Sequence, residues 1–229
     1  MKINIIKNAY FLLFVVIINI SEIKAQKVID LTETHLKAIN TFMTFEKMDG
    51  DKVVRVIKDP SIKKFDEPTY VRINNVNFAN GIIEVKVLSR ILDDAPNFAR
   101  GFIGIAFHIN DSNTKFESIY VRPLNGRSEN QEHRNRTIQY FSYPNYKYQR
   151  LRNESQNKYE SYADMALNEW IQLRIEVQGQ KAQLYINDNK QPSLIVNDLK
   201  LGGNATGAIG LFVDVGTEGY FKDLKVYLQ

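Results

Sequence analysis

The residues best suited to chemistry lie between Phe116 and Tyr143, in FESIYVRPLNGRSENQEHRNRTIQYFSY. Ser118, Tyr120 and Arg122 fall on one side of an alternating run, with Ile119 and Val121 on the other. The guanidinium of Arg122 stays charged and presents a fork of donors suited to vicinal hydroxyls or a carboxylate. Pro123 directly after it ends the strand and holds its backbone extended. A second alternating run, Thr137 to Tyr143, adds Gln139 and Tyr143. The connection from Pro123 to Arg136 carries Asn125, Arg127, His133 and Arg134. It is far longer than the about 2–5 residues of an ordinary hairpin, which marks it as a functional loop. Aromatic faces for C–H patches and planar polar groups for hydroxyl pairs are what a sugar needs.

The elements that must position these groups read as strands. Thr41 to Glu46 and Lys52 to Lys58 flank the turn Met48-Asp49-Gly50-Asp51, and Thr69 to Ile73 follows a loop bounded by Pro60 and Pro68. Ile83, Val85 and Val87 alternate with Glu84 and Lys86, and Ile103, Ile105, Phe107 and Ile109 alternate with Gly104, Ala106 and His108. After a second long loop, Pro144 to Asn168, regular strands return at Ile171 to Val177, Lys181 to Asn187, Ser193 to Leu199, Ala208 to Asp214 and Tyr220 to Tyr227. About a dozen strands with turns between them predict an all-β, two-sheet antiparallel sandwich. Only Gln26 to Asn40 is ambiguous.

If the β-branched positions face the core, the opposite face offers Glu84, Lys86, Gly104, Ala106, His108, Ser118, Tyr120, Arg122, Thr137 and Gln139. Small residues mid-strand would leave a hollow there. An ordinary solvated sheet face alternates in the same way, but it seldom needs Gly104 and Ala106.

Length and composition set the frame. The 229 residues suffice for one all-β domain with a real core, and 44 % hydrophobic content excludes a disordered chain. Lys2 and Lys7, the apolar run Ala9 to Ile20, and Ile23-Lys24-Ala25 have the order of a secretory signal peptide cleaved after Ala25. The run is short of the ~20 residues of a spanning helix. The expected organisation is a signal peptide at 1–25 and one domain at 26–229, secreted or periplasmic and monomeric, with no membrane span in the mature chain. Cysteine is absent, which excludes disulfides and thiolate metal sites. The formal charge is +4, and without residues 1–25 there remain 27 basic against 25 acidic residues, too balanced for nucleic-acid binding by bulk charge. A local basic excess between Arg122 and Lys158 is compatible with a solvated surface or an anionic sugar.

Several stretches resemble a known family: GFIGIAFHIND, FESIYVRPLNGR, RTIQYFSYP, KYESYADM, NEWIQLRIEVQGQKAQLYIND and TGAIGLFVDVGTEGYFKDLKVY. They are similar to the concanavalin A-like lectin/glucanase superfamily, and within it to secreted bacterial jelly rolls grouped with laminin-G-like and 3-keto-disaccharide hydrolase domains. The resemblance covers about Phe78 to Tyr227. It implies a jelly-roll β-sandwich whose concave face, with the two long loops, binds an oligosaccharide or polysaccharide. It also leaves two other activities open: hydrolysis or elimination of a modified disaccharide such as a 3-keto-glucoside, and protein binding by an adhesion module. The E-x-D-x-x-E motif of family 16 glucanases is missing, since Glu160-Ser161-Tyr162-Ala163-Asp164 does not fit its spacing. Keto-sugar chemistry needs a base beside the carbon alpha to the ketone; His108, Glu84 and Glu160 are the candidates, and no spacing singles one out. No cofactor is required. A structural calcium is compatible with Asp223, which resembles a last-strand ligand of related jelly rolls. Asn110-Asp111-Ser112-Asn113 reads as a turn that needs no ion. Tyr143, Tyr146 and Tyr148 are the candidates for sugar stacking.

Overall fold

The computed structural model describes residues 25–29 and 31–229, so most of the expected signal peptide, residues 1–24, lies outside the described residues. Among the described residues, fifteen strands form two antiparallel sheets. The first sheet runs in the order β13 (Leu194–Val196), β12 (Lys181–Ile186), β11 (Ile171–Gln178), β6 (Gly81–Ile91), β15 (Thr217–Leu228), β4 (Asp51–Lys58) and β3 (Thr41–Met48). β1 (Ala25–Val28) pairs with the far end of β15, Val28 opposite Lys225. The second sheet runs β10 (Glu160–Ser161), β9 (Ile138–Tyr143), β8 (Phe116–Val121), β7 (Ile103–Ile109), β14 (Gly207–Val213), β5 (Tyr70–Phe78) and β2 (Leu36–Ile39). This is a jelly-roll sandwich. The ambiguous stretch before Asn40 supplies β1 and β2, one to each sheet.

Alternation explains the strands of the first sheet. Ile171, Leu173, Ile175 and Val177 are buried while Gln172, Arg174 and Glu176 are half-exposed, so one face meets the core and the other meets water. β6 behaves alike, with Ile83, Val85 and Val87 inside. The second sheet differs: every residue of β7 and β8 is buried. A Cβ on Gly219 of β15 would meet Val213 and Ile103, so those two side chains point between the sheets. Their neighbours Phe212 and Gly104, which pair with each other, therefore face outward. By the same register Tyr70, Phe116, Tyr120, Phe141 and Phe212 lie on the outer face, and all are at most 2 % exposed.

Residues from two connections meet at one end of this face. The β4–β5 loop, 59–69, is tied to the segment entering α3 (Tyr148–Glu154): the Tyr148 N–H donates to Asp66 at 2.7 Å, and Lys147 pairs with Glu67 and donates to the Phe65 carbonyl at 3.3 Å. The Pro123 to Arg136 connection folds into α1 (Pro123–Gly126) and α2 (Gln131–Arg134), the latter capped by Asn130, whose side chain accepts from the Glu132 and His133 N–H groups. Among the described residues no helix is long and apolar enough to cross a membrane.

Candidate functional site

Where the tied loops end, a pocket of about 390 Å³ opens at one end of the outer face of the second sheet. The sheet supplies Tyr120 and, just past the strand ends, Phe102, Arg122 and Asp214; the loops supply Phe65, Phe98 and Tyr148. Arg100, Asn125, Arg136 and Arg152 complete it. Phe65 sits edge-on to Phe98, centroids 5.4 Å apart, and to Tyr148 at 6.0 Å. Phe98 is 52 % exposed, an aromatic face presented to solvent at the mouth.

Arg122 reaches this wall with both of its terminal nitrogens already engaged. It donates to the Arg136 carbonyl at 2.8 Å, Glu160 at 3.2 Å, the Tyr120 hydroxyl at 2.9 Å and Gln139 Oε1 at 3.1 Å. Its guanidinium also lies over the rings of Tyr120 and Phe102. The fork expected to grip a ligand therefore holds the protein together. The carboxylate it meets is Glu160. Glu160 serves Arg152 at 2.5 Å and Arg136 at 3.9 Å as well. Burial works to raise the Glu160 carboxyl, but the hydrogen bonds from Arg152 and the charges of Arg122 and Arg152 prevail and hold it below its ordinary range. A carboxylate so engaged is a poor base.

The other expected residues scatter. Glu84 and Lys86 belong to the outer face of the other sheet, where Lys86 pairs with Asp223 at 2.8 Å and Glu84 approaches Arg174 at 3.5 Å. Alternation reveals which face a residue shares with its own strand, not which sheet the strand joins, and the chain changes sheets between β6 and β7. His108 has φ +54 at an irregularity in the β7–β14 register, so it leaves the alternation. Its buried ring stacks on Phe78, faces Glu117 at 3.6 Å and bonds the Ala79 carbonyl, away from the pocket. The hollow at Gly104 and Ala106 is filled. A Cβ on Gly104 would lie 2.5 Å from Tyr120 Cα, so the glycine lets β8 close in rather than making room for a ligand. Ser118 is buried and donates to the Ile105 carbonyl at 3.0 Å. Thr137 is buried too.

Gln139 is consumed by Arg122 and by the carbonyls of Tyr140 and Tyr159. Tyr143 stacks on Phe116 at 5.2 Å. Arg127 clasps Asp164 and Glu169 on the exposed surface. Asn125 does line the pocket; its Nδ2 donates to the Arg136 carbonyl and its buried Oδ1 has no partner among the described residues. Asp223 stands at φ +57 beside a bulge, with Lys86 as its partner. Among the described residues no three His, Cys, Asp or Glu side chains cluster as a metal site would require. The Asn110–Asn113 turn is held by Asn110 Oδ1, which accepts from the Thr114 and Lys115 N–H groups, and by Arg72.

Sequence reasoning missed Phe65, Asp66, Phe98, Arg100, Phe102 and Asp214. The signal available was aromatic and basic residues in loops: Phe98-Ala99-Arg100-Gly101-Phe102, and Phe65-Asp66 between Pro60 and Pro68. Asp214 accepts from Lys58 at 2.5 Å and from the N–H groups of Asp66 and Val215. Burial, and then the nearby Asp214 charge, push the Asp66 carboxyl up to about 7.

Residues 44–227 match the sequence profile of the 3-keto-alpha-glucoside-1,2-lyase-like domain. The chain belongs to this family. Membership connects this 3-keto-alpha-glucoside-1,2-lyase-like protein with carbohydrate chemistry, and none of the curated proteins matches it. Its fold is similar to that of carbohydrate binding module CBM66 from Bacillus subtilis, at 13 % identity and TM-score 0.52, covering 82 % of this chain and 96 % of that one. Bacillus licheniformis beta-glucanase gives 10 % identity and TM-score 0.50, covering 90 % and 98 %. A Bacillus subtilis protein of unknown function with a galectin-like fold gives 11 % and 0.50, covering 85 % and 89 %. These likenesses show the jelly-roll sandwich fold.

Proposed function

We propose that this chain binds a short saccharide, one or two rings long, in the pocket between the second sheet and its covering loops. The observation that carries this reading is the half-exposed Phe98 at the mouth of a pocket walled by Tyr148, Arg100 and Asn125. That combination offers a flat apolar face to sugar C–H groups and planar polar groups to hydroxyls. The volume of about 390 Å³ lies toward the small end of ligand pockets, which run from about 300 to 1,000 Å³. A broad polysaccharide cleft across the sheet is disfavoured, because its aromatic face is already covered. We place this activity outside the cytoplasm, after cleavage behind Ala25; Gln26 to Val28 would still pair with β15.

Phe98→Ala tests the pocket. Losing the aromatic platform should weaken disaccharide binding about 3–10-fold, corresponding to the about 0.5–1.5 kcal/mol of a ring contact. The melting temperature should hold, because the ring is half in solvent. Unchanged affinity in calorimetric titration would move the binding site elsewhere.

The family match favours a second reading, elimination from a 3-keto-α-glucoside. A base takes the proton from C2, the C1–O bond breaks, and the departing sugar oxygen takes up a proton. Asp214 is the carboxylate on the pocket wall, with Asp66 bonded to it through its backbone N–H. Incubation with a 3-keto disaccharide, followed by NMR, decides between the readings: a 1,2-unsaturated 3-keto product beside the released sugar establishes the lyase, and an intact disaccharide leaves binding alone.

A further inference from the structure

The pocket holds more positive than negative charge. Arg100, Arg122, Arg136 and Arg152 line it, and Lys58 reaches Asp214 on its wall. Facing these five cations are three carboxylates. Glu160 is shared by Arg122, Arg136 and Arg152; Glu132 pairs with Arg136 at 2.6 Å; Asp214 pairs with Lys58. The next carboxyl, Asp66, is pushed up to about 7 and does not supply a full charge at neutral pH. Arg100 stands apart from this pairing. Its Nη1 donates to the carbonyls of Asn97 and Ala99, both at 2.7 Å, and among the described residues no carboxylate pairs with it. A guanidinium held by backbone carbonyls on a pocket wall is oriented but not neutralised.

A second observation points the same way. Asn125, 4 % exposed, lines the same pocket with a buried Oδ1 that no group among the described residues satisfies. A buried acceptor without a donor is costly, and a ligand hydroxyl would supply one.

We infer that the pocket takes an acidic saccharide, with a sugar carboxylate on Arg100 and a ring hydroxyl donating to Asn125. This rests on the saccharide reading of the same pocket. A planar carboxylate accepts two parallel N–H bonds from one guanidinium, a match that a neutral hydroxymethyl group at the same ring position cannot make.

The test is calorimetric titration of the protein with a glucuronosyl-glucose disaccharide, its carboxyl-reduced neutral twin and a sulfated disaccharide, repeated on Arg100→Gln. The uronate should bind at least about tenfold tighter than the neutral twin, as expected when a charge-assisted hydrogen bond is gained. Arg100→Gln should abolish that preference, so that acid and neutral twin bind with equal affinity. Equal affinity for acid and neutral twin, or a preference that survives Arg100→Gln, overturns the inference and leaves the saccharide pocket standing. A preference for the sulfated sugar alone overturns the carboxylate assignment. Failure of all three sugars to bind overturns both readings. If Arg100→Gln does not fold, the wild-type comparison of acid with neutral twin still decides.

Discussion

Arg122 shows how far a single residue can be read from sequence. Its face, its neighbours Ser118 and Tyr120, and the restriction imposed by Pro123 all follow from the alternation. What does not follow is that Gln139, Glu160 and the Arg136 carbonyl, contributed by residues 14 to 38 positions away, converge on its guanidinium. Local sequence has no signal for such convergence, so a donor fork with no visible partner looks free. The structure makes Arg122 a buried hub, 5 % exposed. Arg122→Lys keeps the charge but abandons several of these bonds inside a sheltered site. It should lower stability by about 3 kcal/mol, read from urea unfolding. Unfolding that matches wild type, with saccharide binding lost, would return Arg122 to the role of ligand contact.

At the scale of elements, the strands were legible and their assembly was not. β6, β7, β8, β11 and β14 follow from period-two patterns, because half-buried strands must alternate. Glu84 and His108 nevertheless misled, for two distinct physical reasons. Sheet membership is decided by where the chain crosses over, which placed Glu84 on the opposite side of the sandwich. A local positive φ turned His108 out of its expected face. The pocket itself depends on loops, and the clamp between them centres on Asp66. This residue accepts from the Tyr148 N–H, and its own N–H donates to Asp214. Its folded-state pKa of about 7 exceeds the ordinary 3.8. The fold therefore favours the protonated acid: the contribution is fully present below about pH 4 and is lost as pH rises through about 7. The upper bound is on the order of 4 kcal/mol, from about 1.4 kcal/mol per pKa unit. Asp66→Asn, neutral at every pH, should unfold at nearly the same urea concentration as wild type at pH 4 and gain on it between pH 5 and 8. A wild-type minus variant difference that stays flat across that range would show that Asp66 is not the titrating clamp.

For the whole molecule, the sandwich spends one of its outer faces in an unusual way. The first sheet leaves Glu84, Lys86, Arg174 and Glu176 at least partly exposed, whereas the second covers an aromatic layer with its own loops. What stays open is the end where those loops meet Arg100, Asn125 and Phe98. Family membership ties the chain to carbohydrate chemistry, and this opening is the place where the molecule combines exposed aromatic surface with unneutralised cation and unsatisfied amide. The most direct measurement is a crystal structure of the protein soaked with a disaccharide. The account predicts a sugar ring against Phe98 and Tyr148 with polar contacts to Arg100 and Asn125, and with Arg122 still bonded to Glu160. Sugar bound instead on the Glu84–Lys86 face of the first sheet, with this pocket left to solvent, would contradict it.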